Sequence, residues 1–212
     1  ALACRPDLAF ATSYLSRFLQ FENQATLRLT QKLNSYYFHT GDMKMSFSGK
    51  DSELKGFHVF CDSDFASDPI TRHSAFGFIV FYDGDPIYWR ARKSTMVCLS
   101  STHAELNAAF IAIKEVRWLF QIINDLRSTM KQPALPTMFL HQDNQSTMAI
   151  LHSEFYPIKH WDVRYKALHE LVQNHSVTLV YTPTDEMTAD ILTKPLPAAS
   201  FQRHRSNMGL HP

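Results

Sequence analysis

From about residue 55 onward, apolar runs too short to be helices alternate first with turn signals and then with stretches of helical length. That order constrains the chain more than any other feature. Gly56–Cys61 and Phe76–Phe81 read as strands. Asp83-Gly84 is a hairpin signal, Pro86–Trp89 starts a return strand, and Met96–Leu99 reads as a third strand. A helix is expected over about 102–127, with Leu106, Ala109, Phe110, Ile113, Val116, Leu119, Phe120 and Ile123 on its apolar stripe. Met138–Leu140 is a fourth strand, residues 144–152 and 161–174 are helices, Val177–Tyr181 is a fifth strand, and residues 185–193 open a last helical region. The order β-β-β-α-β-α-α-β-α predicts an α/β fold with a mixed sheet flanked by helices. Upstream, residues 6–20 and 25–39 read as helices and Met43–Phe47 as a possible strand. The chain therefore divides into a mostly helical segment, 1–54, and a sheet-forming domain, 55–212.

Composition narrows the function classes. The 212 residues carry 21 Lys+Arg and 20 Asp+Glu, which excludes a simple polybasic nucleic-acid binder and an acidic disordered tail. A hydrophobic fraction of 45% is enough for a proper core, and only 6 glycines argue against Gly-rich phosphate loops. Cys4, Cys61 and Cys98 are odd in number and widely spaced, which fits a reducing compartment rather than a disulfide scaffold or a zinc ribbon. No apolar run reaches membrane-spanning length, so no membrane association is expected. The first residues lack an initiator Met and are interrupted by Arg5 and Asp7. They read as part of a longer chain, not as a signal peptide.

Four acids stand where strand ends meet helix starts: Asp62 after the first strand, Glu105 in the long helix, Asp143 after the fourth strand and Asp190 after the fifth. Converging carboxylates repel unless a cation neutralises them, and an all-oxygen set of this kind suits Mg²⁺ or Mn²⁺. Two such ions can assist phosphodiester cleavage. Each acid also has a plainer reading. Asp62 and Asp64 could be turn residues, Thr102-His103-Ala104-Glu105 matches a capping box, Asp143 could cap the next helix, and Asp190 could be an exposed helix acid. The order Asp, Glu, Asp, Asp also differs from the Asp, Asp, Glu of integrases and related transposases.

Several segments carry a family resemblance. They are Asp62-Ser63-Asp64-Phe65-Ala66, Ile87-Tyr88-Trp89-Arg90, Leu99 to Glu105, Asp143-Asn144-Gln145-Ser146, Lys159 to Tyr165 and Ala189 to Pro197. In this order they resemble the ribonuclease H domain of copia-type LTR retrotransposons. Arg5 to Phe10 and Leu15 to Phe18 are similar to the end of the reverse transcriptase and its connection. The resemblance spans residues 4–210. It implies a ribonuclease H-like fold, with a five-stranded mixed sheet flanked by helices and preceded by a helical connection segment. It also implies hydrolysis of the RNA strand of RNA–DNA hybrids, leaving a 5′-phosphate and a 3′-hydroxyl. Asp62, Glu105, Asp143 and Asp190 match the catalytic acids and would hold two Mg²⁺ ions, with Mn²⁺ as a substitute and Asp62 bridging the pair. The implied partners are the hybrid and the rest of the Pol polyprotein, reverse transcriptase and integrase, and the implied location is cytoplasmic, within virus-like particles. The sequence departs from the pattern in lacking a His between Tyr181 and Asp190, where cellular ribonucleases H place one, and in having Ser94 where Gln is expected.

Arg90, Arg92 and Lys93, with Arg72, form the densest basic patch and are candidate phosphate contacts; Lys159, His160 and Arg164 form a second. Asn144 and Gln145, beside Asp143, are candidate minor-groove readers. The 11 histidines do not form a zinc motif, because His169-Glu170 lacks the second His three residues after the Glu. No Tyr-x-Asp-Asp polymerase motif is present. The non-enzymatic alternative is a degenerate or domesticated ribonuclease H-like module that binds hybrid or a protein partner without catalysis. Within residues 57–212 there are 14 basic and 15 acidic residues. Setting aside the four proposed metal ligands leaves 14 against 11, a mildly basic surface around an acidic centre.

Overall fold

The computed structural model describes residues 4–20, 23–47, 53–153 and 163–212. Its elements are α1 (Ala9–Ser16), α2 (Gln24–His39), β1 (Lys44–Met45), β2 (Phe57–Asp64), β3 (Ala75–Tyr82), β4 (Asp85–Lys93), α3 (Ser101–Thr129), β5 (Met138–Gln142), α4 (Gln145–His152), α5 (Val163–Gln173), β6 (Val177–Tyr181), α6 (Ala198–Asn207) and β7 (Leu210–His211), with short 3₁₀ turns at Pro6–Leu8, Thr184–Glu186 and Thr188–Leu192. Five strands form one mixed sheet in the order β4-β3-β2-β5-β6, with β3 antiparallel to both neighbours and β5 parallel to β2 and β6. This is the ribonuclease H-like sheet that the resemblance implied.

Strand alternation sorts the side chains between two faces. On one face Phe57, Val59, Cys61, Phe76, Phe78, Val80, Met138 and Leu140 pack against α3, whose buried Leu106, Ala109, Ile113 and Val116 recur at helical spacing. On the other, Phe60, Ile79, Phe81, Trp89 and Ala91 meet Met187 and the Ala189, Ile191 and Leu192 side chains of the Thr188–Leu192 turn, together with Ala9 of α1. The second cluster holds that turn, and Asp190 with it, against the sheet.

Two expectations are corrected. Met96–Leu99 is not a strand: the third strand is β4, and it ends at Lys93 opposite Ala75. Beyond it the ladder closes with Ser94 N donating to Ser74 O, and Ser94 Oγ then turns the chain through Met96. Only Cys98 of that run is buried, while Val97 and Leu99 face outward, so the run has no sheet surface to cover. The region 185–193 is two 3₁₀ turns joined at the extended Met187 rather than a regular helix. The expected helix over 161–174 is observed from Val163 to Gln173, and residues 161 and 162 lie outside the described set.

The described residues upstream of β2 pack on the rest. Arg5 pairs with Asp7 at 2.9 Å and reaches Thr40, Tyr36 donates to Asp7, and Arg205 of α6 donates to Tyr36. β1 pairs with β7 at the opposite end of the described chain. Among the described residues, no helix is long and apolar enough to cross a membrane.

Strands β2 and β5 also carry a buried histidine pair. His58 Nδ1 and His141 Nε2 lie 2.9 Å apart, His58 Nε2 faces Lys55 O, and His141 Nδ1 faces Thr182 Oγ1. Burial, and then the His58 charge, push His141 down to about 3. The unfolded chain takes up this proton near pH 6.5 and the folded chain does not. The stabilisation is therefore complete above pH 6.5 and is lost as pH falls toward 3. We expect the unfolding free energy of the wild type, from urea titrations, to fall further over that window than that of His141→Gln, by about 5 kcal/mol at the limit. Parallel curves for the two proteins would remove His141 as the acid-sensitive group.

Candidate metal centre

The parallel register sets the site. Phe60 of β2 lies opposite His141 of β5, so two residues further along each strand Asp62 and Asp143 come level at the carboxyl ends. Helix α3 brings in Glu105. Its first turn is capped by Ser100, whose side chain accepts from His103 N at 3.1 Å. Thr102 is thus not the cap, and the capping-box reading of Glu105 fails. Glu105 Oε1 instead accepts from Ser63 N at 3.1 Å and Ser63 Oγ at 2.8 Å. Asp143 does not cap α4 either. That role falls to Asn144, whose side chain accepts from Thr147 N at 2.9 Å, while Asp143 accepts from Thr184 Oγ1 at 2.8 Å. Asp190 is buried, so its reading as an exposed helix acid also fails.

Asp62, Glu105 and Asp143 each place a carboxylate oxygen within 4.8 Å of the others. Asp190 joins them through Lys194, whose Nζ is 3.0 Å from Asp190 Oδ1 and 3.6 Å from Asp62 Oδ2. Thr193 Oγ1 donates to Asp62 Oδ2. Sequence reasoning did not single out Thr193 or Lys194. They sit in the Ala189–Pro197 motif, and the i,i+4 spacing of Asp190 and Lys194 is local, but their contacts with Asp62 span more than a hundred residues, so only the fold reveals those.

The electrostatics are those of crowded, buried acids. Burial pushes the Glu105 carboxyl well up, and the Asp62 and Asp143 charges push it further against the Ser63 hydrogen bond. Burial also raises Asp62, opposed by Lys194 and Thr193. Burial and the neighbouring Asp62 bring Asp190 to about 7, opposed by Lys194. Glu105 Oε2 is buried with no hydrogen-bond partner. An orphaned carboxylate oxygen beside two more hard oxygen donors fits a divalent cation of the Mg²⁺ or Mn²⁺ type.

The expected nucleic-acid contacts divide. Arg72 and Arg92 are exposed. Arg90 is committed to an ion pair with Glu115 of α3, and Lys93 lies 3.4 Å from Asp68, so neither is simply a solvated cation. Asn144 uses its side-chain oxygen as a helix cap, Gln145 is exposed, and Arg164 is half-buried near Cys98. Lys159 and His160 lie outside the described residues.

Comparison with known proteins bears on this geometry. No protein-family model matches the chain. It is 31% identical over 214 residues to the retrovirus-related Pol polyprotein from transposon TNT 1-94 of Nicotiana tabacum, covering 100% of this chain and 16% of that polyprotein. Its homologues are the Pol polyproteins of copia-type transposons. The homology continues with transposon RE1 of Arabidopsis thaliana, 27% identical over 97% of this chain and 14% of the polyprotein, and with the Ty1-LR3 Gag-Pol polyprotein of Saccharomyces cerevisiae, 25% identical over 93% and 11%. The chain thus spans about one sixth or less of the length of these relatives. Among solved structures, LC11-RNase H1 from compost aligns with a TM-score of 0.48 at 12% identity, covering 66% of this chain and 94% of that one. The N-terminal RNase H domain of rv2228c from Mycobacterium tuberculosis aligns at 0.47 and 11%, covering 72% and 98%.

Proposed function

We propose that the chain is the ribonuclease H part of a retrotransposon Pol polyprotein and that it hydrolyses the RNA strand of RNA–DNA hybrids in a metal-dependent reaction. The observation that carries this reading is the convergence of Asp62, Glu105 and Asp143 at the carboxyl ends of β2 and β5, in a chain homologous to Pol polyproteins. The division into a connection segment, 1–54, and a ribonuclease H domain, 55–212, belongs to the same reading. So do a hybrid and the remaining Pol domains as partners, and a place of action within virus-like particles.

Asp62, Glu105, Asp143 and Asp190 would hold the metal, which supplies Lewis acidity toward the scissile phosphate and lowers the barrier to water attack. The protein's own work is orientation. Ser63 fixes one oxygen of Glu105 and leaves the other open, Thr193 fixes Asp62, and Thr184 turns Asp143 toward its neighbours. These hydrogen bonds place hard donors before any ligand arrives, which lowers the reorganisation needed at reaction. Arg72 and Arg92, both exposed, would contact the hybrid backbone, and the exposed Gln145 beside Asp143 would contact the minor groove.

The test is incubation of the chain with a hybrid labelled in its RNA strand. Cleavage is expected with Mg²⁺ or Mn²⁺ and none with chelator, and Asp143→Asn should lose it while keeping a wild-type circular dichroism spectrum. A folded wild-type protein that binds hybrid but cuts nothing under either metal would favour the non-catalytic module instead.

A further inference from the structure

Lys194 is a cation built into a site whose other groups are acids. Asp62, Glu105 and Asp190 are all buried. Among the described residues, Lys194 is the ion-pair partner of Asp62 and Asp190. It reaches them from one turn beyond Asp190: its backbone N–H donates to Asp190 O at 3.2 Å, and the ammonium folds back over the Asp190 carboxylate. Its side chain is still 30% exposed, so the head group lies at the boundary between the acids and solvent.

Carboxylates this deeply buried are stable only with a compensating charge. One ammonium offers a single charge, whereas the cluster presents several carboxylates, and a divalent ion would compensate more of them. The two cations cannot share the same oxygens, because like charges a few ångströms apart in a partly buried site repel strongly. A lysine head on a flexible four-carbon stem can withdraw to solvent at little cost, as a backbone group or an arginine fork cannot.

We propose that Lys194 is a resident counter-ion that holds Asp62 and Asp190 in place before metal arrives and competes with the divalent cation for that pair. The proposal rests on the metal-site reading above. It makes Lys194 a positioning residue, one that sets how readily metal enters and acts through the two carboxylates.

The experiment measures free Mn²⁺ by electron paramagnetic resonance as the whole chain is titrated at pH 8 without nucleic acid, for the wild type, Lys194→Met and Lys194→Arg. Removing a full charge about 3 Å from a carboxylate should tighten Mn²⁺ binding by about tenfold or more in Lys194→Met, while Lys194→Arg, which keeps the charge, should stay near the wild type. A second readout separates this role from simple packing. In chelator, Lys194→Met should melt below the wild type, and saturating Mn²⁺ should close that gap, whereas a packing role would leave the gap unchanged. Lys194→Gln repeats both measurements should the Met variant aggregate. Equal Mn²⁺ affinities in wild type and neutral variants, or a melting gap that metal does not close, overturn the proposal. Neither measurement uses a hybrid, so a charge-dependent Mn²⁺ affinity in a protein that cuts no hybrid would leave this inference standing and sink the ribonuclease reading alone.

Discussion

Asp62→Asn should lower metal-dependent hybrid cleavage by on the order of a thousandfold, yet raise the melting temperature of the metal-free protein at pH 8. The loss follows from position: Asp62 belongs to the three-carboxylate cluster and also receives Thr193 and Lys194. The gain follows from linkage. Burial raises Asp62, Glu105 and Asp190 above their ordinary values, so the folded chain keeps protons that the unfolded chain releases. Stability from these groups is full below about pH 4 and is lost as pH rises through the folded values, which for Asp190 is about 7. At pH 8, above the Asp190 value, the wild type carries more of the repulsion than at pH 4, and an amide at position 62 relieves part of it. Melting curves in chelator at pH 8 and pH 4 should show the Asn variant ahead at the higher pH and level at the lower. Added Mg²⁺ should stabilise the wild type more than the variant, because binding to the folded state alone shifts its melting point. A variant that melts below the wild type at pH 8 in chelator would contradict the charge argument. One that cleaves normally would remove Asp62 from the site.

Gly77→Ala should be nearly as damaging, though Gly77 carries no chemistry. It lies opposite Asp62 in the β2–β3 register and faces the Thr188–Leu192 turn. A Cβ there would stand 2.5 Å from Leu192 Cβ and 3.0 Å from Leu192 O. Neither partner is the end of a flexible side chain, and Leu192 itself is fully buried. The turn must lift, carrying Asp190, Thr193 and Lys194 away from Asp62. Overpacking of this kind costs about 1–3 kcal/mol, and a displacement of about 1 Å at a reacting site costs roughly a hundredfold in rate. Urea unfolding and the hybrid assay should register both losses. Wild-type cleavage by the Ala variant would mean that the turn can move without disturbing the acids.

Much of the fold is legible in the sequence, because hydrophobic periodicity is a local signal. The long helix is expected at 102–127 and observed at Ser101–Thr129, with its stripe buried as the spacing requires. The positions of Asp62, Glu105 and Asp143 follow from the same reading, because strand ends and helix starts are local too. What escapes is decided across the chain. Met96–Leu99 has strand-like residues but no sheet surface beside it. The capping box at Thr102 yields to Ser100 because Glu105 finds Ser63 across the fold. Arg90 looks like a free cation until Glu115 is brought to it. Gly77 did leave a local trace, as a lone glycine inside an apolar strand, which is a common mark of close backbone approach.

The pairing of β1 with β7, and of Tyr36 with Arg205, has a consequence for how the chain folds as it is made. All five strands of the main sheet lie between residues 57 and 181, so that layer can assemble while later residues are still being added. Helix α1 can already pack on β4, with Arg17 pairing to Asp68, but β1 and the Tyr36 hydroxyl of α2 find their partners only when β7 and α6 emerge. Closing a loop that long carries a large entropic penalty, and contacts of such sequence separation form slowly. Until then Met45, which packs against the second core cluster in the finished protein, lacks its strand partner Leu210. The residues around β1 thus wait on a part of the chain that is made well over a hundred residues later, and they are exposed to misassociation in the interval.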